Sequence, residues 1–113
     1  MNTAAPPRRL GFLLIDGFTL IAFANAIEPF RMANYASAQT LYTWKVAGLS
    51  GNRTAASNGL QIQHTDTFER LLECDLVLVC GGYQIQHLAP PATRLLLPRL
   101  AARNVAPGGV CTG

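Results

Sequence analysis

Cys111 stands in GGVCTG, after apolar residues and before Thr112-Gly113, the composition of a strand that turns into a helix. A thiol at such a turn has its thiolate favoured by the helix dipole, which suits a nucleophile or a redox sensor. A nucleophile also needs a base, most often histidine, and a group that orients it. The chain has two histidines, His64 and His87, and neither has a spacing that sets it over Cys111. Both are expected at the surface. A second stretch, DLVLVCGG, leads into Gly81-Gly82-Tyr83. Two glycines after a buried strand let backbone amides face a cleft and hold an oxyanion or a carboxylate, although an ordinary tight turn has the same spelling. The third stretch is Asp16-Gly17-Phe18, which ends RRLGFLLI. Neither the GxGxxG spacing of a dinucleotide site nor a Gly-Lys-Ser/Thr phosphate loop is present. Cys74, Cys80 and Cys111 form an odd set without CxxC, so no disulfide framework and no metal site is expected. Cys74 and Cys80 read as packing residues.

The elements that must position these turns follow from the apolar pattern. RRLGFLLI (8–15) is a short, almost wholly apolar run, the mark of a strand buried on both faces in a parallel sheet. Thr19 can cap a helix beginning LIAFANAIEPFRMANY, with Ile21, Ala24, Ala26, Ile27 and Phe30 as its apolar stripe. Pro29 lacks an amide hydrogen and predicts a kink or break near Asn25 to Ile27. LYTWKVAGLS (41–50) alternates and reads as a second strand, GNRTAASNG as loop, and LQIQHTD as an exposed edge strand or hairpin arm. FERLLEC allows about two helical turns before the buried strand DLVLVC. Pro90 and Pro91 open a helix through Leu95, Leu96, Leu100 and Ala101, with Pro98 as an irregularity, and NVAPGGVC is the last buried run. Strands and helices thus alternate, which implies a parallel sheet with helices on both faces. Ligands in such folds sit outside the carboxyl ends of the strands, where all three turns fall.

Composition narrows the function classes. Among 113 residues, 50% are hydrophobic and 13% charged, with a mean hydropathy of +0.21, too apolar for a disordered chain. No apolar run approaches the roughly 18 to 20 residues of a membrane span, and Asp16 interrupts the patch that could pass for a secretory core. A cytoplasmic protein with a disordered tail over 1–7 is expected. The net charge of +3 comes mostly from eight scattered arginines, without a basic cluster, so this segment is not expected to bind nucleic acid itself.

LLIDGFTLIAFANAIEPFRMAN, LYTWKVAGLSG, ASNGL, DLVLVCGG and GGVCTG together resemble the PfpI/ThiJ superfamily, and the resemblance covers 8–113. More narrowly, the chain resembles the N-terminal domain of GlxA-type AraC/XylS-family transcriptional regulators, above all those of choline, glycine betaine and carnitine catabolism. The resemblance implies a three-layer α/β/α, flavodoxin-like fold of the class I glutamine-amidotransferase kind, incomplete at the C-terminus. It matches Cys111 to the nucleophile position of the superfamily's enzymes and Gly81 and Gly82 to their oxyanion glycines. Their acidic residue in the first helix corresponds to Ala22, and their histidine would lie beyond Gly113. Catalytic residues are therefore not expected. The regulators' helix-turn-helix domain would also follow Gly113, so DNA is expected as a partner only through that further domain.

The expected function is sensing of a small metabolite, with quaternary amines as the candidate class, without a cofactor and in a homodimer. Gly17, Phe18, Gly81, Gly82, Tyr83 and Cys111 are the expected ligand-lining residues. Phe18 or Tyr83 could contact a cation through its ring, and Glu28 could add a countercharge, although a helix-surface role suits Glu28 better. The alternatives are a PfpI-like cysteine hydrolase or lyase using Cys111, and a redox sensor at the same thiol.

Overall fold

A computed structural model describes residues 6–81 together with the backbone of strand 106–110. RRLGFLL forms the central strand β1 (Arg8–Leu14), flanked on one edge by β2 (Tyr42–Gly48) and on the other by β5 (Leu76–Cys80), all parallel. β6 (Ala106–Val110) continues the sheet beside β5, again parallel, giving the order β2-β1-β5-β6. Two neighbours explain the continuous apolar run of β1. Leu10, Phe12 and Leu14 point to one face, where Phe18, Phe23, Val46 and Cys80 complete a core. Leu13 and Ile15 point to the other, against Ala47, Leu71, Cys74 and Val77. Gly11 admits close packing on that second face, since a Cβ there would stand 3.0 Å from Leu71 and 3.1 Å from Cys74 Sγ.

The first face is covered by α1 (Leu20–Ser37), which runs unbroken through Pro29. The expected break does not occur. Pro29 and Asn25 both lie on the exposed side, where water can satisfy the carbonyl that loses its partner. The buried stripe is also turned from the expected one. Ala22 and Phe23 are buried, with Ala26, Ile27 and Phe30 partly so, while Ile21 is 64% exposed. Thr19 holds the N-cap position with extended backbone, yet its side chain makes no capping hydrogen bond. At the other end Asn34 ties helix to sheet. Its Oδ1 accepts from the Leu41 and Tyr42 amides at 2.8 and 3.0 Å, and its Nδ2 donates to the Tyr42 carbonyl at 2.9 Å.

GNRTAASNG contains a strand where loop was expected. Arg53–Ala55 (β3) pairs antiparallel with Gln61–Gln63 (β4), the anticipated hairpin arm. Phe68–Glu73 forms a 3-10 helix over the second face and seats Leu71 in the core. The expected helix after Pro90 lies outside the described residues.

Candidate functional site

The first two turns come together through backbone hydrogen bonds. At the end of β1, the Ile15 amide donates to the Cys80 carbonyl at 3.0 Å. Gly17 then adopts φ 82°, a left-handed conformation that glycine takes without a Cβ clash, and its amide donates to the Ala55 carbonyl at 2.9 Å. That reversal lets the Phe18 amide close a turn on the Ile15 carbonyl at 2.9 Å and the Thr19 amide reach the Gly81 carbonyl at 3.2 Å. The Phe18 carbonyl accepts from Ser57 at 2.8 Å. The start of α1 is thereby pinned to the ends of both β5 and the β3–β4 hairpin. β6 ends in register, with Val110 opposite Cys80. Gly82, Tyr83, His87 and Cys111 lie outside the described residues.

Phe18 itself is placed differently from a ligand-contacting ring. It is fully buried and stands edge-on to Phe23 at 5.9 Å, with Phe23 edge-on to Phe12 at 5.8 Å. Its backbone shapes the turn while its ring fills the core. Ala22, at the position matched to the enzymes' acid, is 2% exposed and packed under the same helix. Glu28 pairs with Arg31 at 2.8 and 2.9 Å on the exposed helix surface, and this hydrogen bond holds its carboxyl below the ordinary value. Cys80 is wholly buried, and burial pushes its thiol up to about 12; Cys74 is pushed to about 11, chiefly by burial. Both are packing residues, as expected, with thiols protonated at neutral pH.

His64 is not a free surface side chain. Its Nε2 lies 2.6 Å from Thr54 Oγ1 and its Nδ1 lies 3.2 Å from the Gly51 carbonyl. A carbonyl only accepts, so Nδ1 carries a proton, and in the neutral ring Nε2 accepts from the Thr54 hydroxyl. Ring and hydroxyl sit over Gly48, where a Cβ would stand 2.5 Å from Thr54 Oγ1 and 2.6 Å from the imidazole. This staple fixes the hairpin across the end of β2.

Beside the staple, a cavity of about 80 Å³ opens between the ends of β1 and β2, lined by Leu14, Asp16, Leu49, Ser50, Arg53 and Thr54. Asp16 was visible in the sequence only as a turn residue, and Arg53 and Thr54 only as loop. Their meeting depends on the β3–β4 pairing, which no local signal announces. No group of three or more His, Cys, Asp or Glu able to hold a metal occurs among the described residues. Nor is any helix among them long and apolar enough to cross a membrane.

No family model matches the chain. Relatives do. The HTH-type transcriptional regulator GbdR of Pseudomonas aeruginosa is 42% identical over 121 aligned positions, which take in the whole of this chain and 33% of that protein. CdhR of the same species is 36% identical, covering 90% of this chain and 30% of its own length. The regulator GlxA of Rhizobium meliloti is 33% identical, with 94% and 33% covered. The chain thus spans about a third of the length of the curated relatives it matches. Among solved structures, an AraC-family transcriptional regulator from Pseudomonas putida superposes with a TM-score of 0.77 at 32% identity, over 91% of this chain and 55% of that one. A DJ-1 superfamily protein from Salmonella typhimurium superposes at 0.71 with 14% identity, over 90% and 54%, a likeness of fold alone. The relatives are regulators, which agrees with the expectation against catalysis. With a β2-β1-β5 parallel sheet of the DJ-1/PfpI type, the chain is a homologue, over about a third of their length, of the HTH-type transcriptional regulators GbdR, CdhR and GlxA.

Proposed function

We propose that this chain is the effector-sensing domain of a cytoplasmic transcriptional regulator, and that a small metabolite binds at the carboxyl ends of the strands. Identity of 42% with an HTH-type regulator along the full chain is the observation that carries this reading. DNA would be contacted through a helix-turn-helix domain of the kind the relatives' names declare. The Gly17, Thr19 and Gly81 backbone junction supports the location, because it gathers two strand ends and a helix start at one point. Gly82, Tyr83 and Cys111 remain part of the proposed lining. Quaternary amines are the proposed class, and the resemblance of this chain's own sequence to regulators of such catabolism is the reason for naming it.

Homodimerisation through α1 belongs to the same proposal. Ile21, Met32 and Tyr35 fall on one side of the helix and are 64%, 48% and 78% exposed. Thermal denaturation of the chain with choline, carnitine and glycine betaine tests the effector class, and a rise in melting temperature with at least one is expected. No shift with any of the three removes the quaternary-amine class.

A further inference from the structure

We propose that Asn58 is a site of spontaneous covalent modification, at which the tip of the β3–β4 hairpin is converted through a succinimide to aspartyl and isoaspartyl forms. The proposal is independent of the effector-sensing reading. Asn58-Gly59, in ASNGL, is the one Asn-Gly step of the chain. Attack of a backbone nitrogen on the preceding asparagine side chain is easiest where the attacking residue has no Cβ to obstruct it. The other asparagines of 6–81 stand differently. Asn25 and Asn34 lie inside α1, and the Asn34 carboxamide is committed to Leu41 and Tyr42. Asn52 is followed by Arg53, the first residue of β3.

The geometry of the loop favours the reaction. The Gly59 amide donates to the Ala56 carbonyl at 3.0 Å and the Ala56 amide to the Leu60 carbonyl at 2.7 Å, while Gly59 takes φ 89°. Ser57, Asn58 and Gly59 thus form a short hairpin loop that ends in a left-handed residue. All three are exposed, and a Cβ built on Gly59 meets nothing within 4 Å, so water and hydroxide reach the peptide unit. The Asn58 side chain is folded forward along the chain. Its Oδ1 accepts from the Leu60 amide at 3.0 Å, which lays the carboxamide beside the Asn58–Gly59 peptide unit and polarises its carbon toward attack. The bond from the Gly59 amide to Ala56 has to open first, and at an exposed tip without buried side chains that opening is cheap.

Hydroxide then takes the Gly59 amide proton, the nitrogen attacks Asn58 Cγ, and the Cγ–Nδ2 bond breaks to release ammonia. Water opens the cyclic imide at either carbonyl. Opening at Cγ leaves an aspartate. Opening at the main-chain carbonyl leaves an isoaspartate, whose backbone runs through Cβ and Cγ and is longer by one atom. Water enters, ammonia leaves, and the loop gains one negative charge. The longer backbone acts on the neighbouring Ser57 amide, whose bond to the Phe18 carbonyl at 2.8 Å ties the hairpin to the start of α1.

Incubation of the full chain in mildly alkaline buffer, followed by mass spectrometry of its tryptic peptides, tests the site. Peptide 54–70, released by cleavage after Arg53 and Arg70, contains Asn58 as its only asparagine. Expected is conversion of this peptide ahead of those carrying the other asparagines, with the mass change of NH exchanged for O and uptake of heavy oxygen from labelled water. The rate should rise with pH. A protein-isoaspartate methyltransferase should label the aged wild type and leave aged Asn58→Gln unlabelled. The isoaspartyl fraction, isolated by ion exchange, should melt below the fresh chain. Asn58→Asp, which adds the charge on an ordinary backbone, should melt with it. Peptide 54–70 left unchanged, or converted only after the other asparagines, overturns the site. An isoaspartyl fraction that melts with the fresh chain overturns the effect on the start of α1.

Discussion

At the amino end of β1, Arg9 grips Asp75 through its backbone amide at 2.9 Å and its guanidinium at 3.0 and 3.4 Å, and the Asp75 amide returns a bond to the Arg9 carbonyl at 2.7 Å. At the carboxyl end of the same strand, Asp16 and Arg53 share a cavity without a side-chain partner among the described residues. The space at the amino end is the larger of the two, about 590 Å³ between Pro6, Pro7, Arg8, Arg9, Thr43 and Asp75. Arg9 and Asp75 neutralise each other and serve the register of β1 against β5. Asp16 and Arg53 at the carboxyl end do not form such a pair. One strand thus carries a structural end with paired charges and an end whose charges are unpaired among the described residues.

The largest test removes what both ends share. Phe12→Ala deletes a fully buried ring that contacts Phe23, and a loss of about 3 to 5 kcal/mol is expected in urea unfolding, abolishing both ends together. Gly48→Ala strikes the carboxyl end alone. Its methyl group would collide with Thr54 and His64, costing about 1 to 3 kcal/mol in urea unfolding. Asn34→Ala acts near the structural end, where three hydrogen bonds to Leu41 and Tyr42 are lost. A destabilisation of about 1 to 2 kcal/mol in urea unfolding is expected.

The smallest effect is electrostatic. The hydrogen bond from Arg9 lowers the Asp75 carboxyl below its ordinary value. A depressed carboxylate stabilises the fold fully above its unfolded pKa, and this contribution fades as pH falls through the lowered folded value. Asp75→Asn should therefore lower the melting temperature slightly at neutral pH and converge with wild type in acid. The pair is exposed, so added salt should shrink the difference. A difference that persists in acid would break the reading of Asp75 as a purely electrostatic partner of Arg9.

The sheet was legible because its strands are spelled in continuous apolar runs. β1 and β5 are buried on both faces, and that leaves an unmistakable pattern in RRLGFLLI and DLVLVC. The β3 strand was not legible, because Arg53, Thr54 and Ala55 sit in a stretch rich in turn residues and take their pairing from β4. Pro29 misled in the opposite sense. Its cost to a helix depends on whether the orphaned carbonyl meets water, and that depends on which side faces the sheet. Of the site, the junction of Gly17 with Gly81 could be anticipated from strand ends. The Phe18 ring and the Arg53 guanidinium could not, since a positive-φ glycine redirects the first and a hairpin carries the second.

The Thr19 amide's bond to the Gly81 carbonyl gives the fold a mechanical link. α1 has 18 residues and is about 27 Å long. A tilt of about 5° at Thr19 moves the far end, near Tyr35 and Ser37, by about 2 Å. The far end is held too, since Asn34 bonds to Leu41 and Tyr42, so α1 is fastened at one end to β5 and at the other to the start of β2. The helix is thus a strut clamped at both ends, and a tilt of that size has to break or stretch one of the two clamps.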